Sequence, residues 1–452
     1  MDRLVLPALE QEAVIARARR SAASQSAVSS LARFALALLV AEVAAAPARA
    51  SLDRLRSEDD ARTAITRSVA SDATQSTDHA ASEIPSSSRE HRIDDASRKA
   101  LERGLTFLAA QQADDEEGGF RLHFSGDSSR AGAPGAESGR AQSAPLAVAA
   151  LGALAYMAGG STPERGPHGR ELAQAIDYLV AHTELDPKSE KCGYIEKQGD
   201  AISRMHGHGF ATLALAQACS MSPRSARGAR IERALRAAVE RIVASQGVEG
   251  GWYYEPKRSL EHEGSITICM VQALRAAHNA GFKVDPTTIA RAVDYVGRSQ
   301  NADGSFRYAL GDPESTIALT AAAIATLNAT GTYGGSRIDE GYAWLARALA
   351  ARESSHSFER NPLSANDPSA NLAREQRIYC YFYERLYLAQ ALWQSTDRRV
   401  FDEWSAKERA RVLTQQHSDG SWHDERFGDT YATAMNCLFL ALPDGLLPIF
   451  QR

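Results

Sequence analysis

The sequence predicts an all-α fold, an α/α toroid of about six helical hairpins arranged as two concentric rings of helices. Three observations predict it. A turn of one design recurs along the chain, in SQGVEGGWYY (Ser245 to Tyr254), SQNADGSFRY (Ser299 to Tyr308) and TQQHSDGSWHD (Thr414 to Asp424). Each turn follows an amphipathic helix and precedes one that is apolar on all sides, as a ring buried inside another requires. No segment sustains period-2 alternation, so no strand is expected.

The spacing sets the number of hairpins. Trp252 and Phe306 are 54 residues apart, and Phe306 and Trp422 are 116 apart, which leaves room for a hidden repeat between them. That repeat is read at Ile338 to Asp397, its short turn replaced by a polar loop from Arg352 to Arg374. Backwards along the chain, Gly193-Tyr194 stands 58 residues before Trp252, and Gly119-Phe120 lies one longer step earlier. Six units result, beginning near Ala100, Leu172, Ile231, Ile289, Ile338 and Trp404.

Within a unit, the first helix is striped. In IARAVDYVGRSQ, Ile289, Val293 and Val296 share a face and the arginines lie elsewhere. The second helix is small and apolar, as in TIALTAAAIATLNA (Thr316 to Ala329) and GFATLALAQACS (Gly209 to Ser220). The turn residues have structural duties. A glutamine (Gln246, Gln300, Gln416) offers an amide to carbonyls left over at the end of the outer helix. A glycine permits a sharp exit, and Trp252, Phe306 or Trp422 covers the gap between hairpins.

The chain of 452 residues carries a net charge of -5, with 44% hydrophobic and 24% charged residues. That is the composition of an ordinary globular protein, and without a basic face nucleic acid is excluded as a partner. The five cysteines, Cys192, Cys219, Cys269, Cys380 and Cys437, form no CxxC pair, so buried thiols rather than a disulfide scaffold are expected.

Three regions are expected: a leader over 1–50, a Ser-rich linker over 51–94 and the repeat domain over 95–452. In the leader, arginines precede the apolar run Phe34 to Ala46, and small residues follow, in the order of an export signal. Asp2, Glu10, Glu12 and Glu42 break that pattern, so export or a membrane tether stands beside a cytoplasmic chain with a packed or loose leader. The stretch from Ser68 to Arg92 has too few large apolar residues to offset its ordering entropy.

Gln415 to Trp422, echoed in Gln300 to Phe306, resembles the QW repeat of the squalene-hopene cyclase and protein prenyltransferase superfamily, over a span from about Asp95 to the C-terminus. The resemblance implies an apolar, isoprenoid-like ligand in the central cavity. It implies two catalytic devices as well, and the sequence departs from both. The D-x-D-D acid of squalene cyclases has no counterpart, since Asp59-Asp60, Asp94-Asp95 and Asp114-Asp115 are lone pairs. Of the prenyltransferase zinc ligands, Cys380 matches the cysteine, but Ile378 and Ala432 stand where the aspartate and histidine belong. The Gly-Cys-x-Glu-Gln thioester motif of complement-like toroids is also missing. No metal site and no cofactor is therefore expected.

In a toroid, polar residues just before the inner helices ring one mouth of the cavity, where helix ends also favour anionic groups. Candidate catalytic residues there are His206, His208, Asp312, Glu314 and Asp429. Candidate cavity residues are Glu261, His262 and Glu263, which with the two earlier histidines could form a metal site, against the expectation of none, or a tuned acid/base pair, and the aromatics Tyr379, Tyr381 and Tyr431, whose faces suit cations or a prenyl chain. Two functions remain open at this point: binding of an apolar small molecule, or a non-catalytic scaffold for a protein partner, with membrane proximity possible in either case.

Overall fold

The computed structural model describes residues 93–112, 119–121, 143–222, 225–355 and 368–451. The chain divides between His91 and Arg92, and every described residue lies in the second unit. The leader and the linker up to Arg92, with Asp59-Asp60 and Asp114-Asp115, lie outside the described residues.

Twelve α-helices alternate between two rings among the described residues. The outer ring is α1 (Asp95–Gln111), α3 (Gly169–Ala181), α5 (Ala226–Ser245), α7 (Pro286–Arg298), α9 (Ser336–Ser355) and α11 (Arg398–Gln415). The inner ring is α2 (Pro145–Ala158), α4 (Arg204–Met221), α6 (Gly264–Asn279), α8 (Ile317–Ala329), α10 (Pro368–Trp393) and α12 (Gly428–Ala441). Each inner helix packs on the next, and α12 packs on both α2 and α1, so the ring closes. The alternation follows from burial: α7 hides only Thr288, Ala292, Tyr295 and Val296, whereas α8 hides nearly its whole surface.

The turn residues act between repeats. Gln246 Nε2 donates to the Gly250 carbonyl and to Thr288 O of α7, each at 2.8 Å. Gln300 does the same to Gly304 and to Arg337 O of α9, and Gln112 reaches Glu171 O of α3. Gln416 donates to Gly420 and, at 2.8 Å, to Ala100 O of α1, which joins the last repeat to the first. The amide thus staples its turn to the next outer helix, where the sequence had suggested service to its own helix end. Glycine is required for two reasons. Gly250, Gly304 and Gly420 have φ of 92°, 93° and 93°, and a Cβ there would press on the backbone of Arg291, Glu340 and Arg103 in the next outer helix. The rings of Trp252 and Trp422 are buried, and their indole N–H groups donate to Ile242 O and Val412 O of the preceding helix.

Three details differ from the sequence expectation. Gly193 has φ of 84° and packs on Ala237 as Gly250 packs on Arg291, so Ile195, two residues on, takes the place of Trp252 that spacing had given to Tyr194. A hairpin, β1 (Arg307–Ala309) and β2 (Asp312–Ser315), follows the turn that carries Phe306; strands this short carry no readable alternation. The polar loop expected to run to Arg374 ends sooner, because α10 starts at Pro368, a favoured first helical residue.

The lumen is crossed at mid-depth. Gln272 Nε2 of α6 donates to Gln390 Oε1 of α10 at 2.7 Å, and Cys269 Sγ lies 3.5 Å from the Tyr387 hydroxyl. These helices are not ring neighbours. They meet because α8, between them, presents mostly alanines, including Ala318, Ala322 and Ala325. At the foot of the ring, residues 448–450 form a 3-10 turn that contacts α6, while Gln394, just past the end of α10, donates to Phe450 O at 3.1 Å. No described helix is long and apolar enough to cross a membrane.

Candidate functional site

The turns fix the register of the inner helices. A threonine hydroxyl accepts the backbone N–H of the turn aromatic in three repeats: Thr267 from Trp252 at 3.2 Å, Thr320 from Phe306 at 3.1 Å, and Thr433 from Trp422 at 3.0 Å. In the α4 repeat the equivalent acceptor is His208, whose Nδ1 takes the Ile195 N–H at 3.2 Å. Two residues earlier, at the mouth, stand His206, Ser265, Ala318 and Tyr431. Four residues earlier stand Arg204, Glu263, Thr316 and Asp429. Ser265 lies one turn before Cys269, which meets Tyr387 across the ring, so this level faces the lumen.

His206 and Glu263 are brought together through Ser265. His206 Nε2 lies 2.9 Å from Ser265 Oγ, and that hydroxyl donates to Glu263 Oε2 at 2.7 Å. Glu263 is buried and caps α6, accepting the N–H groups of Ser265 and Ile266 at 2.8 Å each. Burial pushes its carboxyl up to about 7, against the pull of those hydrogen bonds. Burial, reinforced by Arg204, brings the His206 imidazole down to about 4, and His206 Nδ1 is enclosed with no hydrogen-bond partner. Around them, the Tyr254 and Tyr308 hydroxyls are 2.6 Å apart, and the Arg204 guanidinium lies over the Tyr254 ring at 5.3 Å with Glu255 3.5 Å away. Arg204 holds φ of 43°, a strained value for a residue with a side chain.

The other candidates are dispersed. His208 is wholly buried in its turn, its imidazole held down to about 3 by burial and by Arg241. His262 turns to the outer ring, its Nδ1 3.2 Å from the Tyr295 hydroxyl of α7, and burial lowers its pKa. Glu261 is exposed. Asp312 and Glu314 lie on β2, where Asp312 Oδ1 accepts the Glu314 N–H at 3.0 Å, and the cap of α8 is Thr316 instead. Asp429 is buried and its Oδ1 is 2.8 Å from Nδ1 of exposed His423. Tyr381 reaches away from the lumen to Glu408 of the outer helix α11 at 2.9 Å, in a buried set with Arg385. Tyr431 packs edge-on against Phe382 and Phe427, with ring centroids 5.7 and 5.1 Å apart. Tyr379 and Cys380 lie on α10 in its first half, where side chains fall outside the described residues.

Sequence reasoning missed Ser265, Arg204, Tyr254 and Tyr308. Ser265 was legible in principle, because it lies 59 residues after His206, one repeat on. Among the described residues no group of three His, Cys, Asp or Glu is placed to hold a metal ion. The four described cysteines, Cys192, Cys219, Cys269 and Cys437, are free thiols. A recess of about 370 Å³ lined by Gln300, Leu327, Arg337 and Ile338 includes none of the candidate residues.

No family model matches the chain, and no curated protein matches it. Among solved structures the chain is similar to a GH76 alpha-mannanase of Bacteroides thetaiotaomicron, at 10% identity over 76% of this chain and 94% of that one, with a TM-score of 0.49. It is similar to a D-mannose isomerase, at 11% identity over 80% and 99% of the two chains, TM-score 0.48. A type II terpene cyclase, MstE from Scytonema, is similar at 17% identity over 78% and 99%, TM-score 0.42.

Proposed function

We propose that this chain is a toroid that binds a small amphipathic molecule at the mouth of its inner ring. Its polar end meets His206, Ser265 and Arg204, and its apolar, isoprenoid-like part lies on the aromatic wall of Tyr431, Phe382 and Phe427. The observation that carries the reading is the lumen-facing level itself, where His206, Ser265 and Tyr431 occupy equivalent positions of three repeats. The strained Arg204 supports it, since such backbone persists where surroundings over-determine it, often at ligand sites. The contacts from α6 to α10 restrict a ligand to the mouth half of the ring.

Squalene-type protonation is not part of this proposal. An isolated alkene is a very weak base and needs a strong acid, whereas Glu263, its pKa raised to about 7, is a weaker acid than an ordinary carboxyl. A leader over 1–50 and a linker over 51–94 belong to the proposal too. The crossed lumen favours a second reading, a non-catalytic scaffold for a protein partner.

Organic extraction of the purified full chain followed by mass analysis separates the two readings. The expected result is a co-purifying molecule with an oxygen-bearing head and a branched apolar chain. A chain free of such a molecule, and binding none from a total lipid extract, would support the scaffold.

A further inference from the structure

Glu263 is a buried carboxyl without a direct path to the mouth, yet two polar side chains connect it there. Its Oε2 meets Ser265 Oγ at 2.7 Å, and Ser265 Oγ meets His206 Nε2 at 2.9 Å. The remaining imidazole nitrogen, Nδ1, is enclosed and without a partner. A serine hydroxyl can donate in either direction along such a chain, and an imidazole can carry its proton on either nitrogen.

We infer that Glu263, Ser265 and His206 form a proton relay whose far end is His206 Nδ1, covered in the ligand-free ring and able to pass one proton to a carbonyl or other oxygen base only when a molecule in the mouth opens access to it. The relay deepens the ligand reading above and depends on it only for the acceptor. In the loaded state Glu263 Oε2–H donates to Ser265 Oγ, the serine hydroxyl donates to His206 Nε2, and the imidazole proton is on Nδ1. When the Nδ1–H bond breaks and an O–H bond forms on the base, the serine proton moves to Nε2 and the Glu263 proton moves to Oγ. The products are a glutamate carboxylate, a serine hydroxyl, a neutral imidazole protonated on Nε2 and a base that has gained one proton. A proton returning from solvent to Nδ1 reverses each move.

The surroundings suit this. The groups facing Glu263 are Tyr253 and Tyr254 of the turn, Tyr295 of α7, Tyr308 of β1 and Cys269 of α6. All are kept uncharged near neutrality by burial, which raises each pKa, so none pins the carboxyl as an anion. At the other end Arg204 faces His206 and opposes a doubly protonated imidazole. A proton can therefore enter one ring nitrogen only as another leaves.

The test uses the full chain without ligand, with 15N in histidine and 13C in the glutamate carboxyl, and reads the His206 tautomer by two-bond 1H–15N spectra. His206→Gln assigns the signal. The expected result is a change from Nδ1–H to Nε2–H as pH rises through about 7, with the same midpoint as the Glu263 carboxyl. In Ser265→Ala the carboxyl still titrates but the imidazole no longer follows it. One tautomer held from roughly pH 5 to roughly pH 9 in the wild type, or a tautomer that still follows Glu263 in Ser265→Ala, overturns the relay. A failed ligand titration would leave this result untouched, so the two readings fail separately.

Discussion

His206 and His208 stand two residues apart on one helix, so their side chains point about 200° apart around its axis. Which of them faces the lumen depends on the rotation of α4, and that is set by the turn bond from Ile195 to His208. The sequence grouped these histidines with His262 and Glu261 by their place just before adjacent inner helices, and that place says nothing about rotation. Once Thr267, Thr320 and Thr433 are recognised as equivalents, His208 reads as a structural acceptor. Replacing His208 with Ala leaves the buried Ile195 N–H without an acceptor, at an expected cost of roughly 1 to 3 kcal/mol; His208→Thr, which restores a hydroxyl, is expected to recover most of it in denaturant melts. The pH dependence has a definite sign. The folded-state pKa of His208, about 3, lies below the ordinary 6.5, so its contribution is full above about 6.5 and is lost as pH falls towards 3. His208→Thr should flatten that acid limb, and an unchanged limb would count against the assignment.

At the scale of the elements, the sequence revealed the hairpins because the turn carries three residue types with separate duties. The glutamine staple, the positive-φ glycine and the buried ring recur together in the turns that carry Trp252, Phe306 and Trp422. Its failures have equally local causes. Ile195 does the packing of an aromatic without resembling one, and β1 with β2 is too short for a pattern. Trp422 closes the circle: its ring lies against Gly104 of α1, where a Cβ would come within 2.9 Å of it. Trp422→Ala should destabilise the fold by roughly 3 to 5 kcal/mol, as large core truncations do. Wild-type thermal and denaturant melting in that variant would contradict the ring closure.

For the whole molecule, the two concentric rings were legible from periodicity and composition, and the filling of the lumen was not. The contacts of Gln272 with Gln390 and of Cys269 with Tyr387 each join residues 118 positions apart, and depend on how far the alanines of α8 let α6 approach α10. No local pattern encodes such a distance. The result is a ring with residues 448–450 at its foot, crossed in the middle, and polar and aromatic at its mouth, the proposed place of the ligand. The most direct test is calorimetric titration of the full chain with farnesyl diphosphate and with squalene, followed by product analysis. Saturable binding of the prenyl compound at one site is expected, weakened about tenfold or more, ~1.4 kcal/mol, in His206→Ala and in Tyr431→Ala, with squalene recovered unchanged. Absence of saturable binding, or affinity untouched in both variants, would contradict a ligand site at the mouth, and cyclised squalene would contradict the absence of cyclase chemistry.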